Sequence, residues 1–443
     1  MLDRLTHAGG RRSARRKVVA LGAVAAAALA AACAPPVVPV PPLPIPVTEH
    51  LVDGGLPGVS FAKVADVTGD STDELVVSKF GSPTTDPGTV TIYELGDDLG
   101  DWTKVPVVTE ADGILFPNDT EVADLNGDGL TDLVVSGGFF SCAFSGTGCG
   151  SLQWFEQGPA GEFTRHDIIS PNNSRFYHRA IVTDVDGDGI TDLMTVGETF
   201  TSARTEWYRG TASSGADRFE DVARVVGNGG GSLPVVADID GDGDDDVLSP
   251  QFFQPGPAVI WFERTGEPSA ASPAGTWVRH TVAGSSLGRG FELELVPDLF
   301  GDGVDRWIGT NHQNTNFNTT EDSAVFLFDP GADPTQRWAR TTLSSGIQAT
   351  PKSPNTLAPG LLGTGDVDLD GRTDIVVSGD GDRRLFVLLQ NDDATFTTHV
   401  LAENMGQAGG AEVTDLNGDG TPEALFTSYE QGVVKLYEFG SGI

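Results

Sequence analysis

One acidic motif, repeated seven times at nearly even spacing, limits what this chain can become. It runs D-x-[DN]-G-D-G-x-x-[DE], followed by apolar residues. The copies read DVTGDSTDE from Asp66, DLNGDGLTD from Asp124, DVDGDGITD from Asp184 and DIDGDGDDD from Asp238. They continue as DLFGDGVDR from Asp298, DVDLDGRTD from Asp366 and DLNGDGTPE from Asp415, at intervals of 58, 60, 54, 60, 68 and 49 residues. A period of this size implies one supersecondary unit per repeat, each packed on its neighbours.

Short apolar runs surround every copy. EVADL or PVVADI precedes the loop, LVVSG or IVVSG follows it, and a third run of the LQWFEQG or VIWFERTG type comes next. A fourth run begins with an aromatic residue at Trp102, Phe163, Phe219, Trp277, Trp338 and Phe396. No long stretch keeps a helical apolar period, and 57 glycines suit many tight turns. These features predict an all-β fold, a seven-bladed β-propeller of four-stranded blades. The seventh fourth strand stands at the other end of the chain. Val47-Thr48-Glu49-His50-Leu51-Val52 matches Phe163 to Ile168 and Phe396 to Leu401 in placing His three residues after the first position. This N-terminal strand, about 47–53, is expected to join the last blade and close the ring.

The loops have the chemistry of cation cages. Ca2+ takes about six to eight oxygen ligands. Asp124, Asn126, Asp128 and Asp132 fall at positions one, three, five and nine, and the Leu130 carbonyl adds a further oxygen. Gly127 and Gly129 allow the positive φ of a tight turn. Carboxylates fill all four positions in three copies: Asp184, Asp186, Asp188 and Asp192; Asp238, Asp240, Asp242 and Asp246; Asp366, Asp368, Asp370 and Asp374. The last copy offers Asp415, Asn417, Asp419 and Glu423, and the first, a weaker one, Asp66, Thr68, Asp70 and Glu74. The Asp298 copy has Phe300 at position three and Arg306 at position nine, so it brings its own cation and is expected to stay metal-free. A bare Asp/Gly turn accounts for one copy alone. Six copies in one ligand register point to about six structural calcium sites, since converging carboxylates without a cation repel.

Residues 1–32 form an export signal, with Arg11, Arg12, Arg15, Arg16 and Lys17 before an apolar run from Val18 to Ala32. Arg15-Arg16-Lys17-Val18-Val19 resembles a twin-arginine signal, and Leu29-Ala30-Ala31-Ala32-Cys33 resembles a lipobox with its leucine one residue early. Cys33 is the candidate for lipidation, against simple cleavage among the alanines. Cys142 and Cys149, the other two cysteines, lie close enough to form a disulfide in an oxidising compartment. Residues 33–47 are a Pro-rich tether and 48–443 the propeller. A net charge of −36 argues against nucleic acid or anionic lipid as partners.

From about residue 47 to 443 the chain resembles the FG-GAP/VCBS repeat propellers, on its Asp loops and on strands such as Trp154-Phe155-Glu156 and Trp261-Phe262-Glu263. The resemblance implies calcium at the loop Asp and Asn side chains. It leaves function open, because the family includes integrin α-subunit heads, fungal lectins, bacterial surface proteins and polysaccharide-active enzymes.

The long, non-repeating segments fall on the face opposite the Asp loops. They carry Phe139, Phe140, Phe144, Phe176, Tyr177, His178, Arg179, Phe252, Phe253, His312, Asn314 and Phe317, a mixture suited to glycan or protein ligands. Packing beneath the loops is the plainer role for any single one of these aromatics. His50, His166, His280 and His399 share one repeated strand position and read as structural, as do Trp154, Trp207 and Trp261. The expected protein is an exported, monomeric calcium propeller, lipid-anchored or secreted, at the extracellular face of a bacterial membrane or the cell surface, binding a glycan or protein. The alternatives are a lyase-like carbohydrate-active enzyme, with His178, Arg179 and His312 as catalytic candidates, and a structural envelope component.

Overall fold

The computed structural model describes residues 39–81, 86–139, 148–312, 323–348 and 358–440. The export signal, Cys33, Phe140, Cys142, Phe144, Asn314 and Phe317 lie outside the described residues. The described chain forms seven four-stranded antiparallel sheets, a seven-bladed β-propeller. Six blades are consecutive in sequence: 59–108, 117–173, 180–228, 235–283, 289–342 and 362–402. The seventh combines 408–439 with the N-terminal strand Val47–Gly54, which pairs antiparallel with Val433–Phe439. Among the described residues, helix is limited to short 3-10 turns, and no helix is long and apolar enough to cross a membrane.

Burial explains the strand sequences. Second strands such as Asp132–Gly137 and Glu423–Ser428 are buried at every residue, because they sit between two strands of one sheet and under the neighbouring blades. Their near-continuous apolar, β-branched composition follows from that position. Outer strands such as Thr276–Ala283 are mostly solvated and correspondingly polar.

Seven apolar clusters fill the seven blade interfaces. Trp154 packs between the second and third blades, Trp207 between the third and fourth, and Trp261 between the fourth and fifth, each at most 1% exposed. Leu416, Leu425 and Leu436 of the last blade meet Val59, Leu75 and Tyr93 of the first. Tryptophan suits these gaps because the blades diverge with distance from the axis and need bulk there.

Two local expectations change. Phe219 does not start a fourth strand; it makes an isolated bridge to Gly210, and the strand runs Arg224–Asn228. The described end of the Pro-rich segment is not free, since Leu43 N donates to Val400 O at 3.0 Å and Val400 N to Pro41 O at 2.8 Å. Leu43 and Ile45 also pack against the apolar cluster between the last two blades.

Truncating Trp207 to alanine should cost about 3–5 kcal/mol, by opening a cavity between two blades. Denaturant unfolding of the variant checks this, and a loss below about 1 kcal/mol would mean the interface repacks freely.

Candidate functional site

Each acidic loop is wired by its own carboxylates. In the Asp124 loop, Asp124 Oδ1 accepts from Gly127 N at 2.8 Å and Oδ2 from Gly129 N at 2.9 Å. Gly127 and Gly129 hold φ of 77° and 85°, a region L side chains enter at a cost. Position five caps a local turn, with Asp128 Oδ1 accepting from Leu130 N at 2.9 Å. Position nine does something sequence reasoning missed. Asp132 is fully buried, and its two oxygens accept from Leu125 N at 3.1 Å and from Gln157 N, at the end of the third strand, at 2.8 Å. Asp192, Asp246 and Asp374 repeat this clamp, on Val185 and Gly210, Ile239 and Arg264, and Val367 and Gln390.

Whether the loops fit a metal is answered by their oxygens. Asp184, Asp186 and Asp192 place ligand atoms within 4.8 Å of one another, as do Asp238, Asp240 and Asp246, and Asp366, Asp368 and Asp374. Asp186 Oδ1, Asp368 Oδ1 and Glu423 Oε1 are buried without a hydrogen-bond partner. Burial pushes Asp132 and Asp192 up to about 6, and Asp246, Asp374 and Glu423 up to about 7, with nearby loop carboxylates adding repulsion. Crowded carboxylate sites of this kind fit a hard divalent cation, although Arg209 already pairs with Asp186 and Asp188 in the Asp184 loop and Arg372 with Asp370 in the Asp366 loop.

The remaining copies differ. Asn126 and Asn417 stand at position three and donate to Asp128 and Asp419, both at 3.2 Å. In the first copy Glu74 accepts from Val67 N at 2.7 Å and Thr68 N at 3.0 Å, and the Thr68 hydroxyl turns to Glu74 at 3.3 Å. In the Asp298 copy Arg306 Nη2 donates to Asp302 Oδ2 at 2.7 Å, so a guanidinium already meets the loop. Arg209 reaches the Asp184 loop in a similar way, 2.6 Å from Asp186, from the strand position that holds Glu156 and Glu263 in two other blades.

Side chains also stitch four of the loops to the next blade. Gln157 Nε2 donates to Val67 O at 3.2 Å, Gln390 Nε2 to Leu299 O at 2.7 Å, and Arg264 to Val185 O. The third blade has Gly210 at this place, and Arg218 substitutes by donating to Leu125 O at 2.5 Å. Gln157 and Arg264, each two residues after an aromatic pair, were the available signal, whereas Gln390 and Arg218 follow no such pair.

The opposite face is built differently. First strands of neighbouring blades touch around the axis. One rung of them is Lys63, Glu121, Ile181, Val235, Glu294, Gly363 and Glu412, each opposite position eleven of its repeat. Lys63 pairs with Glu121 at 2.9 Å, and Arg179 with Asp119 at 2.6 Å and Glu292 at 3.9 Å. Burial drives Glu292 up to about 8 and Glu294 and Glu412 to about 7, Glu412 also repelling Glu294.

Above this rung lies an aromatic mouth. Phe139 touches Phe176, His178, Phe200 and Phe253 with centroids 4.9–6.3 Å apart, and Phe252 joins Phe253 to His312. Phe80 stacks on Phe116 at 3.8 Å. Phe176 and Tyr177 are fully buried and serve as packing, whereas Phe200 is 39% exposed. The three catalytic candidates all lie here; His178 and Arg179 are already engaged, whereas His312 sits beside Asp380 with no hydrogen bond formed at either ring nitrogen among the described residues. His178 Nδ1 is 2.9 Å from Glu198, Arg179 holds its two acids, and His312 Nε2 is 3.2 Å from Asp380. Cys149, also on this face, is buried and disulfide-bonded. Beside His312 a small recess opens, lined by Phe61, Phe80, Phe291, Asp380, Gln407 and Tyr429.

Fold and loops together define a seven-bladed propeller with acidic turns on one face and an aromatic mouth on the other. Residues 184–249 and 366–426 match the FG-GAP-like repeat, so the chain carries FG-GAP-like repeats. No curated protein matches. Among solved structures it is similar to the rhamnogalacturonan lyase YesW, at 15% identity over 89% of this chain and 74% of that one, with a TM-score of 0.42. A Bacillus licheniformis rhamnogalacturonan lyase gives 13% identity, 90% and 75% coverage and a TM-score of 0.44. A putative 6-phosphogluconolactonase from Bacteroides fragilis NCTC 9343 gives 11%, 80%, 84% and 0.45.

The axial glutamates make a stability test. Their folded pKa values lie above the ordinary 4.3 or so of an unfolded chain. The folded state therefore binds more protons between about pH 4 and 8, and these groups subtract stability as pH rises through that window. Glu412→Gln should raise Tm relative to wild type at about pH 8 and leave it unchanged near pH 4. An equal change at both pH values would contradict the assignment.

Proposed function

We propose that this chain is an exported, lipid-anchored calcium-binding propeller that binds a glycan or protein ligand at its aromatic mouth. The observation that carries the binding reading is the continuous aromatic band from Phe139 to His312, with an exposed ring at Phe200. Phe200 is the exposed ring of this band, with Phe139 and Phe253 half-buried and Phe252 and His312 buried beneath, and aromatic surface edged by polar groups suits recognition. The Asp loops recur around the ring, which favours structural calcium over a catalytic metal. The Asp184, Asp238 and Asp366 loops would hold the ion most strongly, on their clustered carboxylates. Calcium there would neutralise crowded charge and link the loop to the third strand through the position-nine clamp.

A second reading, a carbohydrate-active enzyme, draws on the His312–Asp380 pair beside the recess. Against it, His178 and Arg179 are already paired and burial holds His312 neutral, with its pKa down at about 3. Those engagements suit positioning better than proton transfer.

Calcium at about a hundred times its Kd should add about 2.7 kcal/mol per independent site. Chelation should therefore lower Tm by many degrees, and Asp374→Ala should shrink the calcium-dependent rise. No shift on chelation would remove calcium from the account. For the ligand, a glycan array and a protein pull-down with the calcium-loaded chain should yield binding that Phe253→Ala weakens and Leu51→Ala, an exposed outer-strand control, does not. Turnover of a polysaccharide, lost in His312→Ala with the fold intact, would establish the enzyme instead.

A further inference from the structure

The recess at the mouth holds a buried carboxylate without a cationic partner. Asp380 is 8% exposed, and its neighbours at bonding distance are His312, which burial keeps neutral, and the Gln407 side chain. Among the described residues it forms no ion pair with Lys or Arg, whereas nearby Asp382 is taken by Arg384 at 2.6 Å. Burial raises Asp380 to about 7, as expected for a carboxylate short of a countercharge. Asp380 also holds φ of 47°, so the backbone fixes it in place at some cost.

The walls around it are aromatic. Phe61 and Tyr429 each stand about 6 Å from Phe80, tilted by 63° and 50°, and Phe291 closes the other side, stacked on His312 at 3.9 Å. Such rings offer negative faces to a positive charge. Polar side chains are few among the lining, limited to Asp380, Ser60, Gln407 and the Tyr429 hydroxyl, and the rest of the wall is aromatic, aliphatic or backbone. A primary ammonium would need three of the scattered oxygens in one geometry to satisfy its donors. A quaternary ammonium has no N–H, spreads its charge over methyl groups, and asks only for aromatic faces and one anion.

We propose that this recess, contributed by the first, fifth, sixth and seventh blades, binds a quaternary ammonium group, with Asp380 as its counterion and Phe61, Phe80, Phe291 and Tyr429 as its cage. The inference deepens the reading of the mouth as the ligand face and rests on it. The headgroup of a choline lipid and a soluble choline compound present the same chemistry.

Calorimetric titration of the calcium-loaded chain at pH 8 with choline tests it. The control is the neutral isostere of choline, in which a tert-butyl group replaces trimethylammonium. Choline should bind about tenfold or more tightly than the isostere, because the charge alone distinguishes them. Asp380→Asn should abolish that preference, and Tyr429→Leu should weaken choline. The wild-type comparison needs no variant to fold. Phosphatidylcholine vesicles run beside free choline separate the two sources, and binding of either supports the site. Absence of both, or equal affinity for choline and its isostere, overturns it. If choline fails while a glycan or protein ligand is still weakened by Phe253→Ala, the cage falls and the mouth stands. If choline binds but other ligands ignore the mouth, the cage stands alone.

Discussion

The structure depends on a carboxylate that four repeats bury at the start of the second strand and hold by two backbone N–H groups, Asp132, Asp192, Asp246 and Asp374. One donor comes from its own loop and the other from the end of the third strand, so the side chain locks three segments together. A carboxylate in that position is well hydrogen-bonded yet poorly solvated, and its raised pKa records the imbalance. The imbalance can be relieved by a proton or by a cation in the loop. The fifth blade takes another course. Arg306 occupies the position, no clamp forms, and Asp305 accepts from Asp298 N instead, at 3.2 Å.

Repetition and recognition are divided between the two faces. The turn between first and second strands recurs because six blades bury a position-nine carboxylate there and four of the loops are stitched to the next blade. The other face is released from that demand. Its long loops supply unlike residues to one mouth, and the axial side chains beneath, on the rung and beside it, supply five carboxylates, Asp119, Glu121, Glu292, Glu294 and Glu412, against Lys63 and Arg179. A surplus of negative charge under aromatic rings biases the mouth toward cationic or neutral ligands over polyanions.

The sequence made the propeller, its blade number and its loops legible, because a period and a ligand register survive translation into one dimension. The interblade tryptophans and the paired histidines were legible for the same reason; His50, His166 and His280 each meet a glutamate of the third strand. The mouth was half legible. Phe139, Phe252, Phe253, His178 and His312 announced themselves by falling in non-repeating loops. Phe80, Phe291, Asp380 and Tyr429 did not, since the recess draws them from four blades separated by hundreds of residues. The axial rung had a signal, the third residue before most loop aspartates, hidden in the fifth blade by one extra residue before Asp298. The double clamp at position nine was invisible, because backbone donors leave no mark in side-chain spacing.

A crystal structure of the chain grown with calcium would test the central claim most directly. The account predicts ions at the Asp184, Asp238 and Asp366 loops, bound by the clustered carboxylates, and none at the Asp298 loop, where Arg306 stands. Those carboxylates turned outward with no ion between them, or an ion beside Arg306 and none elsewhere, would contradict it.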